Sequence, residues 1–303
     1  MSQMRAVMLL AVTLVAADPA AVTSHAARLG AAMAGHAQPV KAAVLLGPGA
    51  LDLAVEADAL TDLRAVADEA LVGLAVDVCV QPADGRRKRL LIADMDSTII
   101  GCECLDELAD FAGVKAQVSA ITERAMRGEI DFEGALRARV AMLEGLPLSA
   151  LQACYEQRVR LNPGARTLLS TMSDVGARCV LVSGGFEFFT SRVSVAAGFH
   201  DHRANRLIEA DGALTGAVAE PILGREAKLS ALRQEAGDLG LDLSQSLAIG
   251  DGANDLDMIK AAGLGVAYRA KPVVSAQADA RIDHTDLTSL LYFQGYRAES
   301  FSG

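Results

Sequence analysis

Three short apolar runs, each ending at a polar residue, constrain this chain more than any other feature. Leu90-Leu91-Ile92-Ala93 runs into Asp94, Arg178-Cys179-Val180-Leu181-Val182 into Ser183, and Ser246-Leu247-Ala248-Ile249-Gly250 into Asp251. Leu264-Gly265-Val266-Ala267 is a weaker copy. Apolar runs this short, without alternation, fit parallel strands buried on both faces. Helices are predicted between them at 164–176, 186–197, 225–240 and 254–262. Strands alternating with helices imply an open parallel α/β sheet. Such sheets bind ligands at the carboxyl ends of their strands, which is where Asp94, Ser183 and Asp251 stand.

Spacing adds an accessory element. Asp96 and Ser183 lie 87 residues apart, whereas a strand–helix–strand crossover consumes roughly 30. The surplus reads as four helices, 104–112, 115–127, 131–143 and 149–158, forming a small helical cap over about 102–163. Arg206 to Val218, centred on Asp211-Gly212, reads as a hairpin.

Before Leu90 the texture differs. Strands at 5–16, 41–47, 51–56 and 75–81, with helices at 18–35 and 60–72, give the order β-α-β-β-α-β of a ferredoxin-like unit. Asp18 is the expected cap of the first helix, with Pro19 at its first position. Val76, Val78 and Val80 are expected on one face of the last strand. Gln81 to Arg89, turn residues followed by a basic run, reads as a solvated linker. The division is therefore a domain at 1–83 and a second at 84–303.

Met1 to Ala17 could pass for a short secretory signal, but its leading region is poor in positive charge, so a buried first strand is favoured. Leu291-Tyr292-Phe293-Gln294-Gly295 matches part of a protease-recognition tag. It lacks the preceding Glu-Asn and is read as native chain.

The chain of 303 residues carries a formal net charge of −10 and no Trp. No basic stripe stands out, so a nucleic-acid partner is not expected. No apolar run approaches the roughly 20 residues of a membrane helix. The five cysteines, Cys79, Cys102, Cys104, Cys154 and Cys179, fit no zinc spacing and are read as reduced, in keeping with a cytoplasmic setting. A redox pair of Cys102 and Cys104 is the alternative.

The chemistry-bearing residues gather at the strand ends. Asp94 and Asp96, two residues apart, can divide into a nucleophile and an acid–base group. Such a close buried pair is expected to have its pKa values pushed apart. Gly250-Asp251-Gly252-Ala253-Asn254-Asp255 brings further carboxylates whose oxygens suit Mg²⁺. Ser183-Gly184-Gly185 offers a hydroxyl and backbone N–H groups for an anion. Lys228 taken alone reads as a solvated helix lysine.

Taken in order, Asp94-x-Asp96, Ser183, Lys228 and Gly250-Asp251-Gly252-x-Asn254-Asp255 resemble the four motifs of the haloacid-dehalogenase superfamily of phosphohydrolases. The resemblance spans about 90–290. It narrows to the phosphoserine phosphatase family through Asp94-Met95-Asp96-Ser97-Thr98 with Glu103, Ala125-Met126-Arg127-Gly128 with Phe132, and Leu136-Arg137-Ala138-Arg139-Val140. Leu161-Asn162-Pro163-Gly164 and Ser183-Gly184-Gly185-Phe186 complete the set. The resemblance implies a Mg²⁺-dependent hydrolase of O-phospho-L-serine working through an aspartyl-phosphate at the last step of serine biosynthesis. Asp94 would be the nucleophile and Asp96 the general acid and base. Ser183, Gly184, Lys228 and Asn254 would hold the phosphoryl group. Mg²⁺ would sit on Asp94, Asp251 and the Asp96 carbonyl, with Asp255 in support.

The same resemblance assigns Glu103 to the substrate's ammonium and Arg139 to its carboxylate, with Met126 and Phe132 on the apolar side. Arg137, two residues from Arg139, should face elsewhere on the helix. The N-terminal unit resembles ACT regulatory domains. Structural support or formation of a homodimer is favoured for it over amino-acid sensing. Two other readings stay open: a phosphotransferase passing the phosphoryl group to an alcohol, and a non-catalytic amino-acid sensor.

Overall fold

The computed structural model describes residues 7–126 and 129–303. Arg127 and Gly128, and the side chain of Met126, lie outside the described residues.

The chain opens with β1 (Met8–Ala16), α1 (Val22–Met33), β2 (Ala37–Pro39), β3 (Val44–Gly47), β4 (Ala50–Ala57), α2 (Leu60–Ala70) and β5 (Val76–Pro82). Asp18 accepts a hydrogen bond from the Ala20 N–H and starts a single 3₁₀ turn ahead of α1. The sheet runs β2-β4-β1-β5, with β3 also on β4. All of these pairs are antiparallel. That is the strand order of a split βαβ unit. The stretch expected as one strand at 41–47 is preceded by an extra edge strand, β2, which ends at Pro39, a residue without an N–H for a ladder. Leu10, Val12, Leu14 and Ala16 alternate inward against Val22, Leu29 and Met33 of α1 and Leu63 and Ala67 of α2.

The remainder begins with β6 (Leu90–Ala93). Four cap helices follow: α3 (Cys104–Phe111), α4 (Lys115–Met126), α5 (Phe132–Ala141) and α6 (Leu148–Arg158). Next come α7 (Ala165–Asp174), β7 (Arg178–Phe186), α8 (Glu187–Ala197), β8 (Asp201–Asn205), β9 (Leu207–Ala210), β10 (Ala213–Val218) and α9 (Arg225–Asp238). The chain closes with β11 (Ser246–Gly250), α10 (Leu256–Ala261), β12 (Leu264–Tyr268), α11 (Pro272–Ser275), β13 (Ala280–Ile282) and α12 (Ser289–Phe293).

Strands β13-β12-β11-β6-β7-β8 form a wholly parallel sheet. Its central strand shows why the run at Leu90 does not alternate. Leu91 and Ala93 pack into the core on one face, and Leu90 and Ile92 into the core on the other. Each large side chain buried this way contributes roughly 1.5–3 kcal/mol. Because β6 lies between β11 and β7, Asp94 emerges between Asp251 and Ser183.

The cap leaves and re-enters through a narrow neck. Ile100 bridges Leu161, and the Asn162 amide donates to the Thr98 carbonyl at 2.7 Å. The predicted hairpin is β9–β10, turning at Asp211 and Gly212 with φ of +51° and +79°. Two left-handed residues in succession make the tight hairpin turn that favours Asp-Gly. The hairpin leans on the cap, where Leu214 N–H donates to Leu146 O at 2.9 Å.

The two sheets are one. Ala280 of β13 pairs with Cys79 of β5, so the strands run unbroken from the N-terminal unit to β8. Both faces of β5 are covered, since Asp77, Cys79 and Gln81 are buried as well as Val76 and Val80. Asp77 accepts from the backbone N–H groups of Asp283, His284 and Thr285, and Gln81 donates to Phe293 O at 2.7 Å. The basic run after β5 is likewise not the solvated linker expected. Arg86 pairs with Asp52 at 2.9 Å, and Arg87 stacks over the Tyr296 ring at 4.6 Å. Lys88 is buried and donates to Gly85 O and Ser244 O. The connection crosses a packed seam, so Arg86 and Lys88 lay their apolar stems inside and reach for nearby acceptors, while Arg87 and Arg89 stay exposed. Leu291, Phe293 and Gln294, in the tag-like stretch, are fully buried in that seam.

Candidate active site

The carboxyl ends of β6, β7 and β11 and the underside of the cap enclose a cleft of about 440 Å³. Asp94, Asp96, Glu103, Phe132, Arg139, Ser183, Gly184, Asp251 and Asn254 all line it. Nine residues predicted from four separate stretches of sequence thus meet in one place. Lys228 and Asp255 lie directly beneath.

Asp94 follows β6 immediately and is 5% exposed. Its carboxylate accepts from the Met95 N–H at 2.8 Å and pairs with Lys228 Nζ at 2.7 Å. Lys228 is not the solvated helix lysine that its position in α9 suggests. It is 2% exposed and is clamped between Asp94 and Asp255, the latter at 2.5 Å. Burial alone would strip its proton, but the charges of Asp94 and Asp255 outweigh it and hold the ammonium above its ordinary range.

Asp255 uses both oxygens as a brace. One takes Lys228, and the other accepts the N–H groups of Asp251 at 3.1 Å and Gly252 at 2.9 Å. The brace demands glycine at 250, where a Cβ would stand 2.3 Å from the Asp255 carboxyl carbon.

Asp96 is tied at both oxygens. It accepts from the Cys104 N–H at 2.9 Å and from Ser183 Oγ at 3.1 Å. Ser183 Oγ in turn accepts from the Gly185 N–H at 2.8 Å. The pKa values of Asp94 and Asp96 both move upward. Burial raises both, and in Asp94 the Asp255 charge adds to it while Lys228 opposes. Burial, with Asp255 again, pushes Asp251 up to about 6.

Oxygens of Asp94, Asp251 and Asp255 lie within 4.8 Å of one another. Burial and the Asp255 charge raise Asp94 and Asp251, and hard oxygens this close are a donor set that a divalent cation relieves. The residues present therefore fit a divalent metal.

On the cap side, Glu103 and Arg139 bring opposite charges to the same cleft. The Arg139 Nε donates to Ala135 O of its own helix at 3.2 Å. Among the described residues it forms no ion pair, and it lines the cleft. Arg137 points away, as expected of its place on the helix. It is exposed and pairs with Glu220 and Glu133. Phe132 packs over Gly184 and Gly224.

Four contributors escaped the sequence reading. Thr98 Oγ1 donates to Asp251 at 3.2 Å, although Thr98 stood in a quoted motif. Asn205, 1% exposed, donates to Gly184 O and Leu223 O and so ties the loop after Ser183 to the stretch before α9. Nothing in the sequence around it signals this. Lys271 and Asp106 line the cleft from loops and helices that carry no motif.

Comparison with known proteins agrees with this geometry. A family profile described as haloacid dehalogenase-like hydrolase matches residues 91–260. A phosphoserine phosphatase from Polaromonas is 46% identical over 224 residues, covering 72% of this chain and 95% of that protein. Two other phosphoserine phosphatases are longer, and the chain spans 54% and 61% of them. A solved HAD-family hydrolase from Salmonella enterica serovar Typhi superposes with a TM-score of 0.85 at 28% identity, over 94% of this chain and 98% of that one. A structure described as a phospho-aspartyl intermediate analogue of phosphoserine phosphatase aligns at 38% identity with a TM-score of 0.63. It covers 68% of this chain and 99% of that one. The chain belongs to the haloacid dehalogenase-like hydrolases and, among them, to the phosphoserine phosphatases.

Proposed function

We propose that this phosphatase hydrolyses O-phospho-L-serine through a phosphoryl group carried on Asp94, with Mg²⁺ as cofactor. The observation that carries the reading is a single cleft holding both the Asp94–Asp96–Ser183 cluster and the Glu103/Arg139 pair. A phosphomonoester alone needs only the first. A substrate with an ammonium and a carboxylate needs the second.

Asp94 attacks phosphorus, with Lys228 keeping its carboxylate in place. Asp96 gives its proton to the departing serine oxygen and later takes one from the water that frees Asp94. Ser183, the Gly184 amide, Lys228 and Asn254 meet the oxygens of the transferring group, where charge stabilisation dominates. The side chains of Asp94 and Asp251 and the Asp96 carbonyl would hold Mg²⁺, which would supply further positive charge to those oxygens. Asp255, already fully hydrogen-bonded, braces the set. Glu103 receives the ammonium and Arg139 the carboxylate, with Phe132 against the carbon skeleton. Met126 is proposed beside it on the basis of the family motif alone.

Phosphate release from phosphoserine tests this directly. It is expected to fall to background with a chelator and to return with added Mg²⁺. Turnover unaffected by chelation would remove the metal from the reading. A release rate that rises with added alcohol acceptors would point to phosphoryl transfer instead.

Residues 1–83 are proposed as an ACT-like unit and 84–303 as the phosphatase domain, with the cap near 102–163. Support comes from the split βαβ strand order and from the neck at Ile100 and Leu161. Among the described residues no helix is long and apolar enough to cross a membrane. A cytoplasmic enzyme working on a small molecule, with the N-terminal unit available for a homodimer, is the setting we propose.

Specificity has its own test. Losing a charge-assisted contact costs about 1.5–3 kcal/mol, or about 10–150-fold in kcat/KM. Arg139→Ala is expected to lower kcat/KM for phosphoserine within that range and to spare a small phosphomonoester lacking both charged groups far more. Arg137→Ala, which alters only exposed ion pairs with Glu220 and Glu133, should behave like the parent enzyme. Equal loss on both substrates in Arg139→Ala would make Arg139 a fold or phosphate residue.

A further inference from the structure

Ser97 stands in an uncommon conformation for a residue with a side chain. Its φ is +54° and its ψ 1°, in the left-handed region, at the turn between β6 and the cap. A non-glycine residue persists there only where the surroundings impose it. What the conformation achieves is visible in one contact. Ser97 Oγ donates to Glu103 Oε1 at 2.6 Å.

Glu103 is the N-cap residue of α3, yet its side chain makes no capping hydrogen bond. The exposed amide of the first turn is served from elsewhere, since Cys104 N–H donates to Asp96. Asp96 and Ser97 thus divide the work of a cap between them. The first satisfies the helix, and the second draws the Glu103 carboxylate away from the helix and toward the cleft. That carboxylate has good reason to turn elsewhere. Burial, and the nearby charges of Asp96, Asp251 and Asp106, push it up to about 7, and the Ser97 hydroxyl opposes them. The Ser97 amide also donates to Cys102 O at 3.2 Å, which closes the turn behind it.

We propose that Ser97 is a positioning residue for substrate specificity, whose hydroxyl holds one oxygen of Glu103 so that the other faces the substrate's ammonium. The proposal rests on the reading of Glu103 as the ammonium contact. Ser97 itself touches neither phosphorus nor the leaving oxygen in this account.

The test compares phosphoserine with the phosphate ester of 3-hydroxypropanoate, which keeps the phosphate and carboxylate and lacks only the amine. In Ser97→Ala the ratio of kcat/KM values, phosphoserine over the amine-free ester, is expected to fall by about 5–20-fold, mainly through KM for phosphoserine. Ser97→Gly should show the same fall, although it relieves the left-handed strain. Glu103→Gln should lower the ratio at least as far, and Ser97→Ala added to it should lower the ratio no further. An unchanged ratio in Ser97→Ala beside a lowered one in Glu103→Gln would overturn the role of Ser97 alone. A normal ratio in Ser97→Gly with a low one in Ser97→Ala would overturn it in favour of backbone geometry. An unchanged ratio in Glu103→Gln would overturn the ammonium contact, and the proposal with it.

Discussion

Asp94→Asn is expected to abolish phosphate release, lowering kcat by on the order of 10⁴-fold or more, as removal of a covalent nucleophile does. The substitution is nearly isosteric. The Asn side-chain oxygen can still accept the Met95 N–H now held at 2.8 Å. Lys228 keeps Asp255 as a partner at 2.5 Å, so no buried cation is orphaned. The far-UV spectrum and the melting temperature should therefore stay close to those of the parent enzyme. Radiolabelled substrate quenched in acid should leave hydroxylamine-labile label on the parent chain and none on the variant. Label recovered on a serine, or on Asp251, would transfer the nucleophilic role and sink the assignment. Retained turnover in a folded Asp94→Asn protein would do the same.

Much of this site was legible in the sequence because its residues sit where strands end. A run such as Leu90–Ala93 has no polar face, so it requires cover on both sides, and Asp94 then has only the strand end left. The cap helices were legible for a related reason: 87 residues between Asp96 and Ser183 are too many for one crossover. What stayed hidden was settled by tertiary contact. Lys228 was marked only by its place in the ordered motifs, and its pairing with Asp94 and Asp255 appears only once α9 is laid against the Asp255 brace. The seam was equally hidden. Nothing in Cys79 or Ala280 announces that two sheets will join there through one antiparallel pair. Asp77 reads as the polar half of an alternating strand, yet its carboxylate gathers the backbone of a loop about 200 residues away. Arg86 and Lys88 read as solvated charge because sequence carries no trace of the acceptors at Asp52 and Ser244. Ser97 was visible as a motif residue, but its left-handed conformation was not, since serine carries no preference for that region.

The second large effect separates acid catalysis from metal or structural support at Asp96. Asp96→Asn keeps an oxygen for the Cys104 N–H and can still meet Ser183 Oγ, the two contacts that now fix the side chain at 2.9 and 3.1 Å. What it loses is a proton to give. Serine departs as a primary alkoxide, a poor leaving group, so a positioned acid should supply about 10²–10⁴-fold, and phosphoserine hydrolysis should slow by that much. An aryl phosphate departs as a stabilised phenoxide that needs little protonation, so its transfer to Asp94, read in kcat/KM, should slow by less than about tenfold. Single-turnover kinetics add a second reading. Formation of the Asp94-bound phosphoryl group should be slow from phosphoserine and near normal from the aryl ester. Breakdown of that intermediate should be slow from either, because Asp96 also takes the proton of the attacking water. If both substrates lose equally in the first step, Asp96 acts through the metal or the fold, and the acid must be sought elsewhere in the cleft. Glu103, pushed up to about 7 and lining the same space, would then be the first residue to examine.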